Sequence, residues 1–385
     1  HKISEKWSAG TNVNIAITEQ ELGGVWDVRD AFLLPPVVTP YIPEGFEDTG
    51  ELALRPAQSY GMSIAALINP LISQKESRNN DRQLYILSNI YLQHSPIKGV
   101  TLKSTLSARI NTQRHGIYEG SKSETRDLLD PAADLIKNQS IAYTWDNQAV
   151  YEKVVGDHNF NFMVLHSLNF FNNEGSNIAV ENLPFESLWN NLGSAPDIVK
   201  VGSSYRKITL ASALGRLNYS YKDKYLLTAS FRTDGSSKLA EGHKWSTFPS
   251  AALAWRISEE GFLQSSESLS NLKIRASYGY TGNNNIGPYS TLTYVSDQRY
   301  YEFGGKLANG FAPSNITNSS LTWEKTREWN LALDFGFFDN RISASIDVYD
   351  KLSNELLLPR KLPVETGWES ITANIGSVSN KGIEL

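Results

Sequence analysis

The sequence contains no cysteine, which removes disulfide staples and thiolate metal sites and leaves burial and strand or helix pairing to hold the fold. It also contains no run of about 18 apolar residues, the minimum for a spanning helix. Mean hydropathy is −0.35, a value that fits a soluble protein and equally a membrane β-barrel, whose strands are only half apolar. Positive charge is not in excess: the formal net charge is −5 and the pI about 5.8. No overall basic field is present to draw in nucleic acid or anionic lipid, and nucleic acid is not expected as a partner. The six histidines show no metal-binding spacing such as HExxH, and His115, His158 and His243 have loop or strand-end contexts, so neither a metal nor another cofactor is expected. The chain starts at His1 without a charged and apolar leader, so any secretory signal is expected to have been removed or to lie upstream.

Aromatic residues, by contrast, reach 11% of the 385 positions, which suits a protein with much interfacial surface or an all-β secreted protein. From about Lys207 to Ser353 the sequence alternates between apolar and polar residues, segment after segment, and period two specifies strands. Ala213, Gly215, Leu217, Tyr219 and Tyr221 share one face, with Arg216, Asn218 and Ser220 on the other. After the polar turn Lys222 to Lys224, Tyr225, Leu227, Ala229 and Phe231 return on the apolar side, as a hairpin requires. The pattern recurs in Ala251, Leu253 and Trp255, in Leu272, Ile274, Ala276 and Tyr278, and in Trp329, Leu331, Leu333 and Phe335. That last strand turns at Asp339 and Asn340 into Ile342, Ala344, Ile346 and Val348.

A soluble sandwich also alternates, so the decisive question is which medium meets the apolar face. Aromatics gather at the ends of the apolar stretches, and Trp329 to Phe337 spans about 26 Å along the strand, close to the apolar band of an outer-membrane barrel. The opposite face carries charges of both signs at mid-strand, which a sandwich core excludes and a wet lumen accepts. Tiny turns near Lys222 and Asn340 contrast with long segments at 113–140, 169–206, 234–247 and 282–321, the asymmetry of periplasmic turns against extracellular loops. The expected fold is an all-β, antiparallel transmembrane β-barrel, represented in part, with long extracellular loops. Earlier strands are expected at 12–18, 85–93, 100–110, 141–152 and 159–168, an irregular stretch at 34–43, and short helices at 130–138 and 183–192.

No catalytic set emerges. Glu259 and Glu260 are adjacent on a turn and do not face one substrate, and the DGSSK of Asp234 to Lys238 is better explained as a strand-end turn than as a phosphate loop. Asn283, Asn284 and Asn285 offer amides for sugar hydroxyls, beside the plainer reading of a loop tip. Tyr289, Tyr300 and Trp323 supply candidate stacking faces for sugar rings or peptides. Arg216, Arg232, Arg256, Arg275 and Asp334 are expected to face the lumen.

Five segments carry a family resemblance. GRLNYSYKDKYLLTASFRTDGSSK at Gly215 to Lys238, FPSAALAWRISEEGFL at Phe248 to Leu263 and LSNLKIRASYGYTGNNNIGPY at Leu269 to Tyr289 resemble the barrel region of SusC/RagA transporters. So do LTWEKTREWNLALDFGFFDNRISASIDVYDK at Leu321 to Lys351 and NIGSVSNKGIEL at Asn374 to Leu385. The resemblance implies an outer-membrane importer of a Gram-negative bacterium, with a barrel of about 22 strands and an amino-terminal plug. It also implies coupling to TonB, a SusD-like surface lipoprotein as partner, and uptake of oligosaccharide, preferred here, or peptide. Residues 1–385 are then part of such a barrel, the plug, TonB box and closing strands lying outside the sequence. A passive porin, an adhesin barrel, a solitary TonB-dependent receptor and a barrel enzyme such as a surface lipase are the alternatives.

Overall fold

Alternation specifies strands whose two faces meet different media, and twelve such strands pair into one antiparallel sheet. The computed structural model describes residues 2–23, 27–44, 47–62, 67–263, 266 and 268–385. β1 (Trp7–Glu21) leads into a region with α1 (Asp27–Leu33), the hairpin β2 (Tyr41–Glu44) and β3 (Glu47–Leu52), α2 (Pro56–Ser59) and α3 (Pro70–Glu76). The wall continues through β4 (Ser77–His94), β5 (Val100–Glu119), β6 (Ala132–Val155), β7 (His158–Glu181) and β8 (Asp197–Tyr221). β9 (Tyr225–Ser236), β10 (Trp245–Arg256) and β11 (Leu269–Asn283) follow, then a side hairpin of β12 (Val295–Phe303) and β13 (Lys306–Pro313). β14 (Glu324–Phe337) and β15 (Ile342–Asn354) return to the wall, and the hairpin of β16 (Leu357–Lys361) and β17 (Ser370–Asn374) precedes β18 (Ser377–Glu384). With the three side hairpins set aside, every wall strand neighbours the next in the chain, so the sheet is a meander whose open edges are β1 and β18.

Register turns the alternating sequence into two continuous surfaces. Tyr219, Leu227, Leu253, Ala276, Leu331 and Val348 stand opposite one another across six strands. Ile15, Ile86, Ile110 and Ile141 form a matching row in the earlier strands. A sandwich would bury these rows under a second sheet. Among the described residues none covers them, and Ile15 is 64% exposed, Leu253 59% and Leu331 49%. Such a large uncovered apolar face belongs against lipid. The buried apolar residues gather elsewhere: Tyr118, Ala133, Val180 and Leu183 form one cluster, and Leu239, Phe248, Leu321 and Trp323 another. Both lie where loops fold over strand ends, at the opposite end of the sheet from the tight turns.

At the turns the backbone meets the handedness of the sheet. Lys222 and Asp223 both adopt positive φ, 54° and 52°, as a type I′ turn demands. The Lys222 N–H donates to Asp157 O across to the neighbouring turn, at 2.8 Å. Phe338, Asp339 and Asn340 are likewise left-handed.

The earlier half departs from the sequence reading in extent. Each earlier strand is longer than expected, and most of 113–140 and 169–206 is strand: the connecting loops shrink to 120–131 and 182–196. Residues 130–138, expected as a helix, enter β6 at Ala132, and 183–192 hold turns followed by a single 3-10 turn at Leu192–Ser194. Likewise 234–247 narrows to a loop at 237–244, while 282–321 carries the β12–β13 hairpin. Alternation had faded in these upper stretches because both faces there lie beyond the apolar band, and hydrogen-bond register outlasts it.

Candidate functional site

The inner face is built from the other parity of the same strands, so its polar side chains are brought together by register. Around β9 that face forms a groove of about 470 Å³ whose lining includes Arg216, Ser230, Arg232, Asp234, Ser250 and Asn284. Arg232 and Asp234 lie two residues apart on one face of β9, the spacing at which strand side chains run parallel. The Arg232 Nε–H donates to both carboxylate oxygens of Asp234, at 3.0 and 2.8 Å, and its Nη2 donates to Ser212 Oγ at 3.1 Å. Asp234 is buried, so this ion pair fixes the groove wall rather than floating in solvent. Ser230 and Ser250, directly opposite across β9 and β10, share a hydroxyl hydrogen bond of 2.6 Å. Arg216, opposite Ser230 on β8, is exposed and makes no ion pair or hydrogen bond among the described residues. It is the free cation beside a row of hydroxyls.

Further along the same face Arg275 grips Asp334 with two hydrogen bonds, 2.8 and 2.7 Å, and lies 3.5 Å from Asp347. Asn330 Nδ2 donates to Asp347 Oδ1 at 3.3 Å. These groups satisfy one another and brace β11, β14 and β15. Arg256 sits at the turn end, where it donates to Asp223 O and pairs with Glu259.

The loop residues are placed less uniformly. Asn284 lines the groove, while the Asn283 side chain accepts from the Asn285 N–H at 3.1 Å and shapes the turn. Tyr289 Oη accepts from the Lys207 N–H at 2.9 Å, pinning the loop to β8. Tyr300 stands exposed on the β12–β13 hairpin. Trp323 borders the groove but is only 4% exposed. Its indole N–H donates to Lys244 O at 2.8 Å and its ring meets Phe248 edge-on, so it seals a loop core instead of offering a stacking face. Parity in the sequence puts Ser230 and Ser250 on the polar face with Arg216 and Arg232, whereas Asp234, expected in a strand-end turn, continues β9 and lines the groove with them. Among the described residues no group of three or more His, Asp or Glu is placed to hold a metal ion.

Comparison with known proteins agrees with this architecture. A sequence family described as TonB dependent receptor-like, beta-barrel, matches residues 48–385. TonB-dependent receptor P26 of Formosa agariphila is 30% identical over the whole chain, which spans 38% of that protein. TonB-dependent receptor SusC of Bacteroides thetaiotaomicron is 45% identical over 46% of this chain and 18% of its own length. Among solved structures the RagAB peptide transporter superimposes with a TM-score of 0.81 at 23% identity, covering 99% of this chain and 42% of that one. The chain thus spans well under half of the curated relatives it matches. It belongs to the TonB-dependent receptor β-barrel family, in its SusC/RagA group.

Proposed function

We propose that this chain is part of the wall of an outer-membrane importer in a Gram-negative bacterium. The observation that carries the reading is the single sheet with one uncovered apolar face and one hydrogen-bonded, ion-paired face. That division suits a wall between lipid and a wet lumen. Import is TonB-energised, with coupling through parts of the protein outside these residues, and a SusD-like surface lipoprotein works beside the extracellular loops. The cargo is an oligosaccharide: Ser230, Ser250 and Asn284 present hydroxyls and an amide in one groove, chemistry that pairs with sugar hydroxyls.

A second reading, oligopeptide cargo, is favoured by Arg216, whose unpaired guanidinium suits a carboxylate. Uptake of a labelled oligosaccharide and a labelled oligopeptide, in cells with and without the gene, separates the two. Loss of oligosaccharide uptake on deletion is expected, and loss of peptide uptake alone would overturn the preference. Recovery of a surface lipoprotein with the intact protein under mild detergent tests the partner. Its absence would favour a solitary receptor.

A further inference from the structure

The outward face carries a feature that neither cargo nor wall explains. Arg82 on β4 stands directly opposite Arg114 on β5, and Arg114 directly opposite Lys137 on β6. All three share the parity of Ile86, Ile110 and Ile141, so they belong to the lipid side of the sheet. Directly opposed side chains have Cβ atoms about 5 Å apart, and like charges so placed repel. The acids nearby offset them only in part: Glu19, opposite Arg82, and the neighbouring Glu21 both accept from Asn80 Nδ2, at 3.1 and 2.7 Å. Glu174 stands opposite Gln139, one row nearer the tight turns, and lines the same groove as the cations. None of the three cations forms an ion pair among the described residues. Counting Glu19, the row still holds three positive charges against one negative.

The middle cation is held in place. Arg114 Nη2 donates to Asn80 Oδ1 at 2.6 Å, its guanidinium lies 5.8 Å from the Trp189 ring centre, and its Nε has no hydrogen-bond partner. Arg82 and Lys137, by contrast, are exposed on either side of it. Together they line a groove of about 590 Å³ that continues over Leu84 and Thr112. Toward the tight turns the same face of β4, β5 and β6 carries the isoleucine row Ile86, Ile110 and Ile141. Toward the loops lies the end that is extracellular in barrels of this kind.

A row of guanidinium and ammonium groups at the upper rim of an apolar band has the layout of a charged lipid site: cations at headgroup height and a methyl-lined wall for acyl chains beneath. Guanidinium forks match phosphate oxygens in geometry and charge. The chain's net charge of −5 conceals this cluster because it arises from strand register. We propose that Arg82, Arg114 and Lys137 bind the phosphate of an outer-leaflet lipid headgroup, whose acyl chains lie along Leu84, Ile86, Ile110 and Ile141. The site is on the side of the sheet away from the lumen and does not depend on the identity of the cargo.

The test uses the full-length protein in mild detergent with fluorescent diphosphoryl lipid A as the probe, dephosphorylated lipid A and inorganic phosphate as competitors, and anisotropy as the readout. The triple variant Arg82→Gln, Arg114→Gln, Lys137→Gln is expected to weaken probe binding about tenfold or more. Lys137→Gln alone, at an exposed position where folding is not at issue, should weaken it about threefold, and Arg82→Lys, which keeps the charge but loses the fork, should bind between the parent protein and Arg82→Gln. Neither competitor should displace the probe at matched concentration. Unchanged binding in the triple variant and in Lys137→Gln overturns the proposal, as does equal competition by dephosphorylated lipid. Equal competition by inorganic phosphate would instead make this a soluble-anion site and overturn the lipid assignment.

Discussion

β5 through β8 run 20, 24, 24 and 25 residues, whereas β9, β10, β14 and β15 run 12, 12, 14 and 13. A tilted strand needs about 9–11 residues to cross a bilayer, so the later strands do little more than span it, and the earlier ones rise roughly ten residues beyond. The outward face records the change of medium. On β7 the series Phe160, Phe162, Val164, Leu168 and Phe170, interrupted by His166, gives way to Asn172, Glu174 and Ser176, while pairing to β8 continues without a break through Ser176 opposite Ser203. Strand length and apolar alternation are therefore separate quantities. Alternation reports where one face touches lipid; the ladder of backbone hydrogen bonds decides where the strand ends.

Arginine placed on the outward face should distinguish the two zones. Leu331→Arg, at mid-band, is expected to cost about 2–4 kcal/mol in folding from denaturant into lipid vesicles, while Asn330→Arg on the lumenal face is tolerated. Asn172→Arg, outward but above the apolar series, should cost no more than about 1 kcal/mol. Equal costs at Leu331 and Asn172 would abolish the distinction between a lipid zone and a wet zone.

Glycine offers a second contrast. Gly116, in the upper part of β5, lies beneath the Trp189 ring, and an added Cβ would collide with it, whereas an added Cβ at Gly215 in the band meets nothing within 4 Å. Gly116→Ala should therefore destabilise by about 1–3 kcal/mol through overpacking. Gly215→Ala should be neutral or stabilise by up to about 0.5 kcal/mol. Denaturant midpoints of the two variants check this, and a larger loss at Gly215 would contradict the packing of the upper strands.

The ion pair of the later half comes next. Asp334→Asn removes the charge from a fork of two short hydrogen bonds with Arg275, both residues being partly solvent-exposed. A loss of about 1–2 kcal/mol is expected, smaller than for a fully buried pair. A double-mutant cycle with Arg275→Gln should return a coupling of similar size, and a coupling near zero would make the pair incidental.

The same contrast explains what could be read from the sequence. Between Ala213 and Val348 apolar and polar residues alternate along each strand, so strands, turns at Lys222 and Asn340, and the shared face of Arg275 and Asp334 were all readable from parity. The upper parts of β6 to β8 carry polar residues on both faces, such as Asn138 beside Lys137 and Asn173 beside Glu174, and nothing in that composition distinguishes a two-sided wet ladder from a loop. The groove was half readable. Arg216 and Arg232 announced themselves as charges within strands, but the burial of Trp323 depends on Phe248 and Lys244 O, some 75 and 79 positions away. Long-range packing of that kind has no local signature.

The mildest contrast is between the two ends of the barrel wall, and it depends on pH. At the turn end Glu260 accepts from Tyr225 Oη at 2.7 Å, from Trp255 Nε1 at 3.1 Å and from Lys224 Nζ at 3.4 Å. The Tyr225 hydroxyl first, then the Trp255 indole, hold its carboxyl below the usual glutamate value of 4.5. At the loop end Glu369 is also lowered, by Lys361 alone, and that pair stands open to solvent on both sides. A depressed folded-state pKa means stabilisation that is present above the unfolded value of 4.5 and is lost as pH falls through the folded pKa. Glu260→Gln should therefore speed hydrogen exchange in the 257–263 turn near neutral pH, and the difference from the parent protein should vanish once pH falls well below 4.5. Glu369→Gln, with one exposed and salt-screened partner, should leave exchange in the β16–β17 hairpin nearly unchanged at any pH. A Glu260 effect that persists undiminished in acid would show that shape, and not the carboxylate charge, ties β9 and β10 together at the turn.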